Sequence, residues 1–149
     1  MPTVITRRAT GAPSQRVWEA LAYSASFPSY IPEIVAVDML WQDADRRCSR
    51  WTVRLGDALL TWHEEAAVDH TARRIDFVQT HGDLKALTGH WLVESRGAGA
   101  EVELRLDVEA GIPLLDTMLH PIAERALREF TEAVLDRITE RAAASTVAA

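Results

Sequence analysis

The sequence predicts an α+β domain: a curved antiparallel sheet of about seven strands around a long C-terminal helix, with two short helices after the first strand. Three observations carry this. From Ile34 to Glu109 hydrophobicity alternates with a period of two, broken by turn signals roughly every 12–15 residues, as in hairpin-linked strands with one wet face. From about Leu114 to Ala143 the period changes to three and four, the spacing of an amphipathic helix. A single sheet with one apolar face needs a cover, and only the terminal helix is long enough to supply it.

Taken in order, Thr3 to Ala9 reads as a strand ended by Gly11-Ala12-Pro13. Pro13 and Ser14 then open a helix, because proline suits a first turn and serine caps free N–H groups. Val17, Trp18, Leu21 and Ala22 form its apolar face. Ser24 to Pro32 sets two prolines and three serines around Phe27, Tyr30 and Ile31, a short second helix or a tight loop packed by its aromatics. In the strand region Trp51, Val53 and Leu55 alternate with Arg50, Thr52 and Arg54, and Ile75 and Phe77 with Arg74 and Asp76. Val102, Leu104, Leu106 and Val108 alternate with charged residues from Glu101 to Glu109. Turns are expected at Asp43-Ala44-Asp45, Gly56-Asp57, His70-Thr71, Gly82-Asp83 and Gly97-Ala98-Gly99. In the last helix Leu115, Leu119, Ile122, Ala126, Phe130, Val134 and Ile138 oppose Glu124, Arg128, Glu132, Asp136 and Glu140. Pro121 either ends a first piece near His120 or opens the main helix. One domain over 1–143 is expected, with 144–149 a disordered tail.

Composition excludes several classes. The 149 residues allow one domain with a core. A net charge of −6 and a single lysine, Lys85, leave no basic stripe for nucleic acid. No apolar run approaches about 18 residues and no secretory signal is visible, so a protein without stable membrane insertion is expected in the cytoplasm. Cys48 stands alone, which removes internal disulfides and multi-cysteine metal sites. Hydrophobic content is 48%, but 23 residues are alanine, and five tryptophans outnumber three phenylalanines and two tyrosines. Broad rigid side chains among small ones fill an interior unevenly, which suits a cavity.

Strand parity nominates the site. Trp62, Glu64, Ala66 and Val68 share the bulkier apolar face, which points to the cavity; Leu59, Thr61, His63, Glu65 and Ala67 share the other. A carboxyl in apolar surroundings has its charged form disfavoured, so Glu64 is a candidate general acid or base. A bulge that shifted the register would instead leave it solvated. His63-Glu64-Glu65 does not make a zinc motif: position 67 is alanine and no cysteine pair follows. Leu87, Gly89, Trp91 and Val93 face inward, with Gly89 leaving room for a ligand or for close helix packing, and Phe77 joins the ligand-binding candidates. His90 falls on the wet face, His81 at a turn, and His120 at the surface or the cavity mouth. From the long helix Met118, Ile122, Ala126 and Phe130 are candidate lining, and Arg125 either reaches a ligand oxygen or pairs with a nearby glutamate. Tyr30 and Phe27 are candidates for a lid, Tyr30 with a hydroxyl to offer an enolate.

The strings APSQRVWEAL, FPSYIPEIVAV, GDLKALTGHWLVE and AEVELRLDVEA, in this order before a terminal amphipathic helix, resemble the START-like helix-grip superfamily, the SRPBCC group. The nearest resemblance is to its polyketide cyclase/aromatase and coenzyme-Q-binding branches. It implies a cofactor-independent enzyme that folds a poly-β-ketone, free or delivered by an acyl carrier protein, and promotes aldol ring closure and dehydration. Glu64 would be the acid/base group, Tyr30 a polar anchor, and Trp62 and Trp91 stacking walls. A cavity arginine of some relatives falls here on Ala66, and a cavity tyrosine falls near Ile34. Both departures favour an alternative, a non-catalytic carrier of a quinone, lipid or natural product. An interaction module docking through the sheet edge or long helix is a third reading.

Overall fold

The computed structural model describes residues 3–111 and 113–147, with side chains of the last helix described from 123 to 144. Its strands are β1 (Thr3–Thr10), β2 (Ile34–Gln42), β3 (Arg46–Leu55), β4 (Ala58–Asp69), β5 (Arg74–Gly82), β6 (Ala86–Arg96) and β7 (Gly99–Glu109). Between β1 and β2 run helix α1 (Ser14–Ala22) and a 3-10 helix (Ser24–Ser29), and helix α2 (Pro113–Val147) follows β7. The seven strands form one antiparallel sheet in the order β1-β7-β6-β5-β4-β3-β2. From β2 to β7 each strand pairs with the next, and β1 closes on β7 as the far edge. This is the α+β helix-grip architecture expected from the sequence.

The period of two sets the sheet's inner face. Along β7, Ala100, Val102, Leu104, Leu106 and Val108 are buried while the charged residues between them are half-buried. Gly56 and Gly97 take φ of 59° and 58° at two of the expected hairpin turns, a left-handed conformation that costs glycine nothing. In α1, Val17, Trp18 and Leu21 are buried as expected. The serine cap is not used: Pro13 holds the N-cap position without a side-chain bond. Ser14 Oγ instead accepts from Arg73 Nη1 at 2.7 Å and from the Ser95 hydroxyl at 2.8 Å, tying the helix start to the sheet.

Helix α2 differs from expectation at two places. It runs unbroken from Pro113 to Val147, so neither division considered at Pro121 occurs. The stretch 144–147, expected as tail, continues the helix. Leu127, Val134, Leu135, Ile138 and Ala142 face the core. Two polar ties fix α2 to β1: the buried Thr6 and Thr131 hydroxyls lie 2.6 Å apart, and Arg8 Nε donates to Asp136 Oδ1 at 2.7 Å.

Candidate functional site

A cavity of about 120 Å³ lies between the inner face of the sheet and α2. Its aromatic walls are Trp51, Trp62, Phe77, Trp91 and Phe130, with aliphatic side chains such as Leu104 and Leu127 between them. Among the described residues lining it, Glu64 is the one ionisable side chain. Phe27 is not among the lining residues: it is buried against two of the walls, its ring 6.0 Å from Trp51 and 5.9 Å from Trp91.

The register explains why Glu64 points inward. A bulge does occur beside it, since His63 pairs with His81 while Glu64 pairs with Gln79. The extra residue, Thr80, belongs to β5, so the alternation of β4 is undisturbed and Trp62, Glu64 and Ala66 stay buried together. Across the other edge, Trp51 pairs with Trp62 and Ser49 with Glu64. The two indoles stack with centroids 6.2 Å apart and planes within 2°. Each indole N–H donates to a polar neighbour on its own strand: Trp62 Nε1 to Glu64 Oε1 and Trp51 Nε1 to Ser49 Oγ, both at 2.9 Å.

Burial pushes the Glu64 carboxyl up to about 7, against the opposing pull of the Trp62 hydrogen bond and the Arg47 charge. Near neutral pH such a group both takes and gives a proton. Arg47 is itself buried, and Nη1 donates to the Ala22 carbonyl at 2.7 Å. Burial draws its pKa below the usual arginine value, and Glu64 counters that shift.

The structure brings Trp62, Glu64, Phe77, Trp91 and Phe130 to one cavity. Other candidates go elsewhere. Gly89 does not line the cavity: a Cβ there would meet the Arg105 carbonyl oxygen at 2.0 Å and Phe77 Cζ at 2.7 Å. The room it leaves is taken by the neighbouring strand and by Phe77, not by a ligand. Arg125 is turned to solvent, its side chain 81% exposed, and Nε donates to Glu129 at 3.0 Å, one helical turn away. Tyr30 sits one residue past the 3-10 helix at φ −141°, off its repeat, and lines a separate cleft with Ser26 and Arg141. The Arg141 guanidinium lies 5.1 Å over its ring, and burial pushes its hydroxyl up to about 12 despite that charge. Ala126 gives way to Ala123 and Leu127 in the wall, while the Met118 and Ile122 side chains lie outside the described residues. His63 faces out against His81, centroids 4.0 Å apart, and among the described residues no cluster of three His, Cys, Asp or Glu suits a metal ion.

Arg47, Ser49 and Trp51 are the functional candidates that the sequence reading missed. The signal was present, because the alternation of Trp51, Val53 and Leu55 runs back two steps to Ser49 and Arg47. Arg47 is also the cross-strand partner of Ala66. A cation is therefore supplied to this region of the wall from β3, not from the β4 position that the resemblance pointed to.

Fold and cavity together define a helix-grip protein with an apolar cavity between sheet and helix. Residues 10–135 match the family described as polyketide cyclase/dehydrase and lipid transport, and the chain belongs to it. No curated protein matches the sequence significantly. Among solved structures, the chain is similar to a Thermus thermophilus protein, TTHA0849, at 26% identity over 97% of this chain and 99% of that one, with a TM-score of 0.90. It is similar to the ZhuI aromatase/cyclase from Streptomyces sp. R1128 at 18% identity, covering 94% and 92%, TM-score 0.84. The major latex-like protein 151 of Panax ginseng shares 15% identity over 93% and 95%, TM-score 0.76. No helix among the described residues is long and apolar enough to cross a membrane.

Proposed function

We propose that the protein is a cofactor-independent cyclase/dehydratase for a poly-β-ketone, with Glu64 as its acid/base group. The observation that carries this reading is a carboxyl held near neutrality in an otherwise apolar cavity. A pure carrier gains nothing from burying an ionisable group at a desolvation cost. In the reaction the carboxylate takes a proton from a methylene between two carbonyls, and the resulting carbon nucleophile attacks a third carbonyl carbon. The proton passes to the new alkoxide; in a second cycle the carboxylate takes a ring proton and hands it to the hydroxyl, which leaves as water as the C=C bond forms. The aromatic walls supply orientation and exclude solvent. At about 120 Å³, the cavity is similar in size to engineered cavities that take a single benzene, so it shapes one ring at a time.

Product profiling with a minimal polyketide synthase tests this. Glu64→Gln is expected to lower ring formation by about a hundredfold or more, the usual scale of general acid–base catalysis, with Trp62→Ala and Trp91→Ala altering the ring pattern. Unchanged products from all three variants sink the assignment. A carrier role for a hydrophobic molecule is the second reading, favoured by the almost wholly apolar lining. It expects tryptophan quenching by such ligands with no turnover.

A further inference from the structure

Arg47 is a group that an apolar binding cavity does not require. With Glu64 it makes up the two ionisable side chains buried in the core among the described residues. Arg47 pairs with Ala66 and Ser49 with Glu64, so the two charges are diagonal neighbours on the inner face of β3 and β4. The guanidinium is held from behind by the carbonyl of Ala22, the last residue of α1, where a helix end carries partial negative charge. Arg47 does not line the cavity, whereas Glu64 does, so its charge reaches a ligand through Glu64. Among the described residues the other neighbours add no second charge: Gln79 lies opposite Glu64 on β5, and α2 presents Ala123, Leu127, Phe130 and Val134. Glu65 and Cys48 pair with each other, one step along from Glu64 and Ser49, on the outward parity.

This arrangement decides where a negative charge can rest. When a neutral ligand gives a proton to Glu64, the electron pair of the broken O–H or C–H bond stays on the ligand, and the carboxyl becomes neutral. An isolated anion in an apolar cavity is strongly disfavoured. With Arg47 behind the carboxyl, the site carries no net charge before or after the transfer; only the place of the anion changes. We propose that Arg47 is a positioning residue whose fixed charge allows a ligand anion in this cavity. The ligands it suits are compact neutral weak acids of one-ring size, phenols and enolisable β-dicarbonyls. A permanently anionic ligand brings no proton of its own and would have to draw one from solvent onto Glu64, and a plain hydrocarbon would make no use of the pair. The proposal rests on the reading of Glu64 as an acid/base group in a ligand cavity.

The test uses 4-nitrophenol, whose anion absorbs visible light and whose neutral form does not, with nitrobenzene as the probe lacking an acidic proton. At the pH where the free probe is half ionised, wild type is expected to hold a mixture of both forms. Glu64→Gln leaves Arg47 without its carboxylate, so the bound probe should be almost wholly anionic and held at least tenfold tighter. Arg47→Met should hold the neutral form alone, and Arg47→Lys should restore the anion. Equal ionisation of the bound probe in wild type and Arg47→Met overturns the role of Arg47. Should Arg47→Met not fold, a neutral bound probe in Glu64→Gln overturns it equally. Nitrobenzene binding as tightly as 4-nitrophenol overturns the ligand class. If neither probe quenches tryptophan fluorescence in wild type, the reading of the cavity as a ligand site falls as well.

Discussion

Glu64 and Glu103 stand on opposite faces of one sheet, and their surroundings drive their acidities in opposite directions. Glu103, on the outer face of β7, lies in a row of charges that crosses four strands. Its Oε2 is 2.6 Å from His90 Nε2, its Oε1 accepts from Arg7 Nε at 2.8 Å, and Arg74 reaches the other His90 nitrogen at 3.3 Å. Partial burial pushes Glu103 up, but the His90 hydrogen bond and the Arg7 charge outweigh it and hold the carboxyl below its usual value. Glu64 has one indole donor and one arginine, and burial wins, leaving it at about 7. The number of donors and cations set against the loss of water thus separates a structural carboxylate from one able to move a proton.

Removing the inner carboxyl gives the largest expected stability effect. The folded-state pKa of Glu64 is raised from 4.5 to about 7, so its ionisation opposes folding as pH rises between those values, and the penalty is complete above the upper one. Glu64→Gln should therefore match wild type at about pH 4 and exceed it by up to about 3 kcal/mol at about pH 8. Urea unfolding at both pH values measures this; a constant difference between them contradicts the raised pKa. Trp62→Phe sharpens the same point from the donor side. It removes the indole N–H and part of the stack on Trp51, so stability should fall by about 2 kcal/mol. The Glu64 carboxyl should titrate still higher, which carboxyl-carbon NMR would detect.

On the outer face the sign reverses and the size shrinks. The lowered pKa of Glu103 stabilises the fold above the ordinary glutamate range, and that contribution is lost as pH falls through the folded value. Glu103→Gln should cost at most about 1 kcal/mol near neutral pH, less in high salt, and almost nothing at about pH 3. Denaturant curves at two salt concentrations would show it, and a loss that persists at low pH would contradict the charged row. The smallest effect belongs to Arg125→Ala, on the far side of α2. Because its tie is an exposed i,i+4 pair, the change should alter stability by no more than about 0.5 kcal/mol and leave probe binding untouched.

Periodicity and turn signals carried the order of the elements and the inward faces of β4, β6 and β7; parity set Glu64 inward, and parity with the family resemblance set Trp62 and Trp91 toward the concave side. Parity on a strand is a local property, and a bulge hosted by the partner strand leaves it intact, as Thr80 shows. The failures are those of residues whose direction is not local. Tyr30 and Phe27 lie three apart in sequence, yet Phe27 packs against the cavity wall at Trp51 and Tyr30 lines another cleft, because the chain leaves its helix between them. Arg125 lies two residues from both Ala123 and Leu127, about 200° round α2 from each, so once packing turns those two to the cavity Arg125 faces solvent.

The sequence by itself determined an α+β sheet with a covering helix, and a carboxyl facing its apolar side, since hydrophobic burial forces both from spacing alone. The tertiary structure decided what that carboxyl can do. It set Arg47 of β3 diagonal to Glu64 of β4, stacked Trp51 on Trp62, and gave the space above Gly89 to Phe77. These are contacts between strands, whose register and depth depend on packing across the whole sheet, and acidity follows from them because charge and solvent act through space.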